Sequence, residues 1–129
     1  MVAVAGFLSS LAYPTYQSSI AKAWRADALV ATLQVQIAQE RFRSASLVYG
    51  SLSDIGVAAT SPSGHYVLAV ASSTATGYSV QASASGAQRA DTRCRFMTLS
   101  ADGANVEYRS GPSDAVDNDA LENRKCWNF

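Results

Sequence analysis

Gly6-Phe7-Leu8-Ser9-Ser10-Leu11-Ala12-Tyr13-Pro14-Thr15-Tyr16-Gln17 closes a charge-free stretch and opens a long amphipathic helical pattern. No residue from Met1 to Ala21 carries a charge, and Lys22 is the first that does. Such a segment is costly to expose to water and stable in a bilayer or a helical bundle. The chain is therefore expected to be held somewhere by its N-terminal part. Met1 to Ala5 lacks the basic residue a signal peptide wants, and its apolar tract runs straight into the helix. It is read as the remaining part of an anchor whose first turns precede it.

Outward from this stretch, Ile20, Trp24, Ala28, Ala31, Val35, Ala38 and Phe42 recur at helical spacing and form one apolar stripe. Leu29, Leu33 and Ile37 form a second, rotated away from the first. A helix lying on one sheet needs one stripe. Two predict a helix covered on both sides, by its own head and by another molecule, although a helix in the middle of an ordinary core also fits. Lys22, Arg25, Gln34, Gln36, Gln39, Arg41 and Arg43 fill the polar arc, and Tyr49-Gly50-Ser51 ends the pattern. A helix from Met1 to about Leu47 would be about 70 Å long, so half of it must protrude. Pro14 removes a backbone bond and Gly6 weakens the helix, which makes the stretch between them a candidate break.

After Gly50 the pattern changes. Residues 51–64 read as an irregular connector rich in Ser, Gly, Thr and Pro. Strands are expected over His65–Ala71, Tyr78–Ser85, Arg93–Leu99 and Asn105–Arg109, with Asp102-Gly103 as a hairpin signal. Alternation puts Tyr78, Val80 and Ala82 on one face, and the long helix is their only available cover. Residues 110–125 show no periodicity and read as an acidic loop closed by Cys126.

Composition sets further bounds. One domain of 129 residues with ten basic and ten acidic side chains has no global attraction for nucleic acid. The distribution is uneven: seven basic and four acidic residues from Lys22 to Arg95, three basic and six acidic beyond. Cys94 and Cys126 are the two cysteines, without a C-x-x-C. One structural disulfide formed outside the cytoplasm is the preferred reading, against two free buried thiols in a cytosolic protein. Enzyme signatures are weak: the single His65 stands at a strand start and no nucleophile elbow occurs, so no catalytic residue, cofactor or metal is assigned. Asp114, Asp117, Asn118, Asp119 and Glu122 carry oxygen ligands suited to calcium but lack EF-hand spacing, so a solvated loop is the default. Arg89, Arg93 and Arg95 are candidate DNA contacts, or equally partners for the acidic loop.

The run Ala12-Tyr13-Pro14-Thr15-Tyr16-Gln17, after apolar residues and Gly6, resembles the N-terminal helix of bacterial type IV pilins. Trp24-Arg25-Ala26-Asp27-Ala28 is similar to that family's Arg-Arg-Ala-(Asp/Glu)-Ala. Ile55-Gly56-Val57, Ser61-Pro62-Ser63-Gly64-His65-Tyr66 and Thr74-Ala75-Thr76-Gly77-Tyr78 resemble the branch holding PilE-type pilins and the DNA-uptake pilin ComP. Cys94 to Cys126-Trp127 resembles the pilin C-terminal disulfide region. The family's leader, N-methylated phenylalanine and early glutamate have no counterpart here, and the stretch before Gly6 is about two residues shorter than usual.

The resemblance implies an α+β pilin fold: a long N-terminal helix on a four-stranded antiparallel sheet with a disulfide-closed C-terminal loop. Residues 1–22 would be the membrane anchor and filament core, and residues 23–129 the head. It implies a structural subunit of a pilus serving adhesion, motility or DNA uptake, stored in the bacterial inner membrane, then polymerised outside the cell by the assembly machinery. Val4, Phe7, Leu8, Leu11, Tyr13, Leu29, Leu33 and Ile37 would pack against other copies. In an assembled filament the chain between Gly6 and Pro14 is expected to unwind partly. The alternative function is that of a minor pilin capturing DNA through Arg89, Arg93 and Arg95.

Overall fold

The computed structural model describes the backbone of residues 2–128 and the side chains of residues 16–128. One helix, α1, spans Val2–Ser46. It is followed by a single turn α2 (Leu52–Ile55), strands β1 (Tyr66–Ser73) and β2 (Gly77–Ala84), two 3-10 turns (Gly86–Ala90 and Thr92–Cys94), strands β3 (Phe96–Asp102) and β4 (Asn105–Gly111), and a final helix α3 (Ala120–Trp127). The strands form one antiparallel meander in the order β1-β2-β3-β4. This is the type IV pilin fold expected above. Among the described residues no helix is long and apolar enough to cross a membrane.

The strand pattern decides which face is covered. Tyr78, Val80 and Ala82 of β2 point inward, joined by Tyr66 and Leu68 of β1 and by Met97, Leu99 and Ala101 of β3. Ala28, Ala31 and Val35 of α1 complete this core, all fully buried. Small side chains at the first two positions let the helix backbone come close to the sheet, where packing is dense. Asp102 pairs with Asn105, leaving a two-residue turn whose first position, Gly103, has a φ of 60°. That conformation costs glycine no Cβ clash and suits a tight hairpin.

Several expectations need correction. Trp24 does not cover Tyr78 and Val80; it is half-buried and stacks on His65, with ring centroids 3.8 Å apart. Ala38 and Phe42 are likewise only half-buried. Gln39, placed on the polar arc, is fully buried, where its amide donates to the Gly50 carbonyl (2.7 Å) and accepts from the Gly50 N–H (2.9 Å). Leu29 is half-buried against the core, so the outer stripe consists of Leu33 (54% exposed) and Ile37 (49%), with Val30 beside them (46%). The connector contains α2, opened by a reciprocal Ser51–Asp54 capping box. The acidic loop contains α3, capped by Asp119, whose carboxylate accepts from the Glu122 N–H at 2.9 Å.

Helix α1 is continuous across Gly6 and Pro14 in the single chain. The opening expected there concerns the assembled filament, which a single chain does not represent. The side chains of Val4, Phe7, Leu8, Leu11 and Tyr13, named above as filament contacts, lie outside the described residues.

Candidate nucleic-acid interface

Arg89, Arg93 and Arg95 lie on the segment that joins β2 to β3, folded as two 3-10 turns rather than as the start of a strand. A connection this short and irregular needs its backbone fixed from outside. Gln88 does part of this. It is 1% exposed, and its amide donates to the Ala21 carbonyl (2.8 Å) and the Tyr66 hydroxyl (2.9 Å). Arg25 does the rest, with Nε and one terminal nitrogen each 2.7 Å from the Asp91 carboxylate. A forked pair of this kind fixes orientation as well as distance. Both anchors reach α1, through the Ala21 carbonyl and Arg25, so the turns ride on the helix.

The electrostatics follow from this packing. The hydrogen bond to Asp91, together with its charge, raises the Arg25 pKa above its ordinary value despite partial burial. Burial pushes the Tyr66 phenol up to about 12, opposed by the Gln88 hydrogen bond. Tyr66 thus stays neutral and serves as a hydrogen-bond partner at physiological pH. Burial also raises the Tyr78 phenol, whose hydroxyl has no hydrogen-bond partner among the described residues.

With the turns fixed, the three arginines project differently. Arg89 is exposed and its guanidinium has no partner among the described residues. Arg95 is half-buried, with Nε donating to the Arg89 carbonyl at 3.0 Å, so it ties the two turns together. Arg93 is 73% exposed at its side chain and lies 2.8 Å from Glu122 of α3. Lys125 reaches the same carboxylate at 3.6 Å. Cys94 and Cys126 are disulfide-bonded, with sulfurs 2.03 Å apart, which holds α3 beside the arginines. Of the two expectations for Arg93, the pairing with the acidic segment is seen, while most of its side chain stays exposed.

Asn118, Asp119 and Glu122 of the acidic run are used structurally, while Asp114 and Asp117 are exposed. Asp119 caps α3, Glu122 answers Arg93 and Lys125, and the Asn118 amide donates to the Arg93 carbonyl (2.8 Å) and to Ser110 Oγ (2.9 Å). Ser110 donates in turn to Asn123 at 2.7 Å, and Trp127 Nε1 donates to the Arg109 carbonyl at 2.9 Å, so α3 is docked on β4. Among the described residues no group of three His, Cys, Asp or Glu side chains is placed to hold a metal.

Across the head, Asp27 is the polar residue that sequence reasoning missed. Its carboxylate is buried and accepts from Ser61 Oγ, from the Ser63 N–H (2.9 Å) and from the His65 N–H (3.0 Å). Burial alone would raise its pKa, but the hydrogen bonds to Ser61, Ser63 and His65 outweigh it and hold the carboxyl below the ordinary range. The signals available in sequence were its place one residue before Ala28, on the buried face, and its match to the acidic position of the motif around Ala26.

A family profile described as "Type IV minor pilin ComP, DNA uptake sequence receptor" matches residues 14–98, more than half of the chain. The match takes in most of α1, strands β1 and β2, the three arginines and Cys94, and ends within β3. No curated protein matches the chain at a significant level.

Proposed function

The chain belongs to the type IV minor pilin ComP family, and on that premise we propose that it is a DNA receptor displayed on a type IV pilus. Duplex DNA meets the head at the two 3-10 turns, where Arg89, Arg93 and Arg95 contact phosphates. The observation that carries this reading is the anchoring of those turns to α1 by Gln88 and by the Arg25–Asp91 pair. Cations on a fixed frame lose little freedom on binding, so more of their attraction appears as affinity. Arg95 already bonds a carbonyl and Arg93 a carboxylate, which leaves Arg89 as the readiest contact.

The test is duplex affinity of the intact chain, measured at several salt concentrations. Replacing Arg89, Arg93 and Arg95 together by Gln should weaken binding and lower the log–log salt slope by about 2–3, near one unit for each phosphate no longer neutralised. An unchanged slope in a folded, disulfide-bonded variant overturns the assignment.

A second reading, a structural subunit packed in the filament, is favoured by the exposed Leu33 and Ile37. In it residues 1–22 form the anchor and later the filament core, and residues 23–129 the head. Inner-membrane storage, polymerisation by the assembly machinery and partial unwinding between Gly6 and Pro14 belong to this reading. Counting subunits in sheared filaments separates the two: a sparse component fits the receptor, a stoichiometric one the structural subunit.

A further inference from the structure

Between α1 and the C-terminal end of α3 lies an open cleft of about 370 Å³. Among the described residues its lining carries Lys22, Arg25 and Lys125, with Ser19 and Asn128 as neutral polar groups, and no carboxylate side chain. Lys22 is exposed and has no partner among the described residues. Arg25 uses Nε and Nη2 on Asp91, leaving Nη1 without a partner among the described residues. Among the described residues Lys125 makes only the 3.6 Å contact with Glu122. The negative end of the α3 dipole points this way, but it is worth about half a charge, and Arg124 and Lys125 stand in its last turn.

The position of the cleft along α1 identifies its occupant. Residues 2–21 of α1 carry no charge, and Lys22 and Arg25 follow directly on the same helix, so the cleft stands where the charge-free stretch ends. A helix inserted along its axis would therefore place this cleft at the level of the lipid headgroups, where basic residues attract anionic lipid. We propose that the cleft between α1 and α3 binds the phosphate of an anionic phospholipid headgroup, held by Lys22 and Lys125 with Arg25 behind them. The proposal rests on the reading of residues 1–22 as a membrane anchor. Binding there would set the depth and rotation of the head on the membrane surface before assembly, and would have to be released on extraction.

The experiment uses the intact chain in nanodiscs of phosphatidylcholine alone or mixed with phosphatidylglycerol. Co-elution with the discs reads insertion, and mass spectrometry of the released complexes reads which lipid is retained. Wild type should retain phosphatidylglycerol in preference to phosphatidylcholine. Lys22→Gln with Lys125→Gln should lower that preference on the order of tenfold without changing insertion. Arg41→Gln with Arg109→Gln removes the same charge outside the cleft and should leave the preference intact. Equal retention of both lipids, or equal loss in both double variants, overturns the site while leaving the anchor standing. Failure to enter either disc overturns the anchor and the site with it. Glycerol phosphate binding to the intact chain in a neutral detergent separates the sources: saturation there as strong as with the lipid assigns the cleft to free phosphates and overturns the lipid. If the Lys22/Lys125 variant instead loses duplex affinity and keeps its lipid preference, the cleft belongs to the DNA surface.

Discussion

Ahead of β1 the chain is fastened to α1 by Asp27, whose buried carboxylate gathers Ser61, Ser63 and His65. After β4 it is fastened by the Cys94–Cys126 bond and by a polar network around Asn118. The first clasp is ionic and responds to acid. The second is covalent and responds to reductant. They also differ in what they carry. The Asp27 clasp holds a loop with no exposed cation, and its His65 ring lies against Trp24. The disulfide clasp holds Arg93, Glu122 and Lys125 in register. A charged surface next to a covalent fastening keeps its geometry when salt weakens its ion pairs, because the bond is indifferent to ionic strength.

The disulfide side should show the largest effect. Replacing both cysteines by Ser is expected to cost about 3–4 kcal/mol in urea unfolding, from the chain-entropy term for a loop of this length. Hydrogen exchange should then accelerate in α3 while the amides of Ser63 and His65 stay protected. If those two amides open as well, the clasps are one cooperative unit, joined through Gln88 and Tyr66, and the contrast is broken.

Asp27→Ala should cost about 2–3 kcal/mol, since it leaves buried donors of Ser61 and of the 63 and 65 amides without their acceptor. This contribution has a definite pH signature. The folded-state pKa of Asp27 is depressed, so the stability is fully present above the unfolded-state value and is lost as pH falls through the folded one. The gap between wild type and Asp27→Asn should therefore begin to close as pH falls below about 4 and vanish only below the depressed folded-state value. A gap that stays constant down to acid would assign the effect to packing.

The faces of α1 sharpen the comparison from a third side. Leu33→Asp with Ile37→Asp should change head stability by no more than about 0.5 kcal/mol, because both side chains are about half exposed. Incorporation into sheared pili should nonetheless fail. Normal incorporation would remove the second stripe from the interface. Leu29→Asp is a poorer probe, since Leu29 also packs on the core.

The smallest stability effect belongs to Glu122→Gln. The pair with Arg93 is exposed on the arginine side, and such pairs are worth about 0–1 kcal/mol. Duplex affinity should rise, as Arg93 loses its competing carboxylate. An unchanged affinity would mean that Arg93 does not face DNA, and would narrow the interface to Arg89 and Arg95.

The sequence by itself determined the elements whose signal is periodic or local. Ala28, Ala31 and Val35 mark the buried face of α1 by their spacing, Tyr78, Val80 and Ala82 mark the inner face of β2 by alternation, and Asp102-Gly103 marks the hairpin. The two wide-spaced cysteines pointed to their bond. Short helices escaped because one or two turns show no period; Asp119 followed three residues later by Glu122 was the readable cap of α3, hidden within an acidic run. Only the tertiary structure decided which polar residues are inside. Gln39 and Asp27 are buried because the backbone of Gly50 and of residues 63 and 65 arrives with unpaired groups that need them. Tertiary packing also split the second stripe, giving Leu29 to the core and leaving Leu33 and Ile37 outside. It set Arg93 against Glu122 across 29 residues of chain. Periodicity reports how a side chain sits on its own element, while burial and pairing depend on which distant segment folds over it.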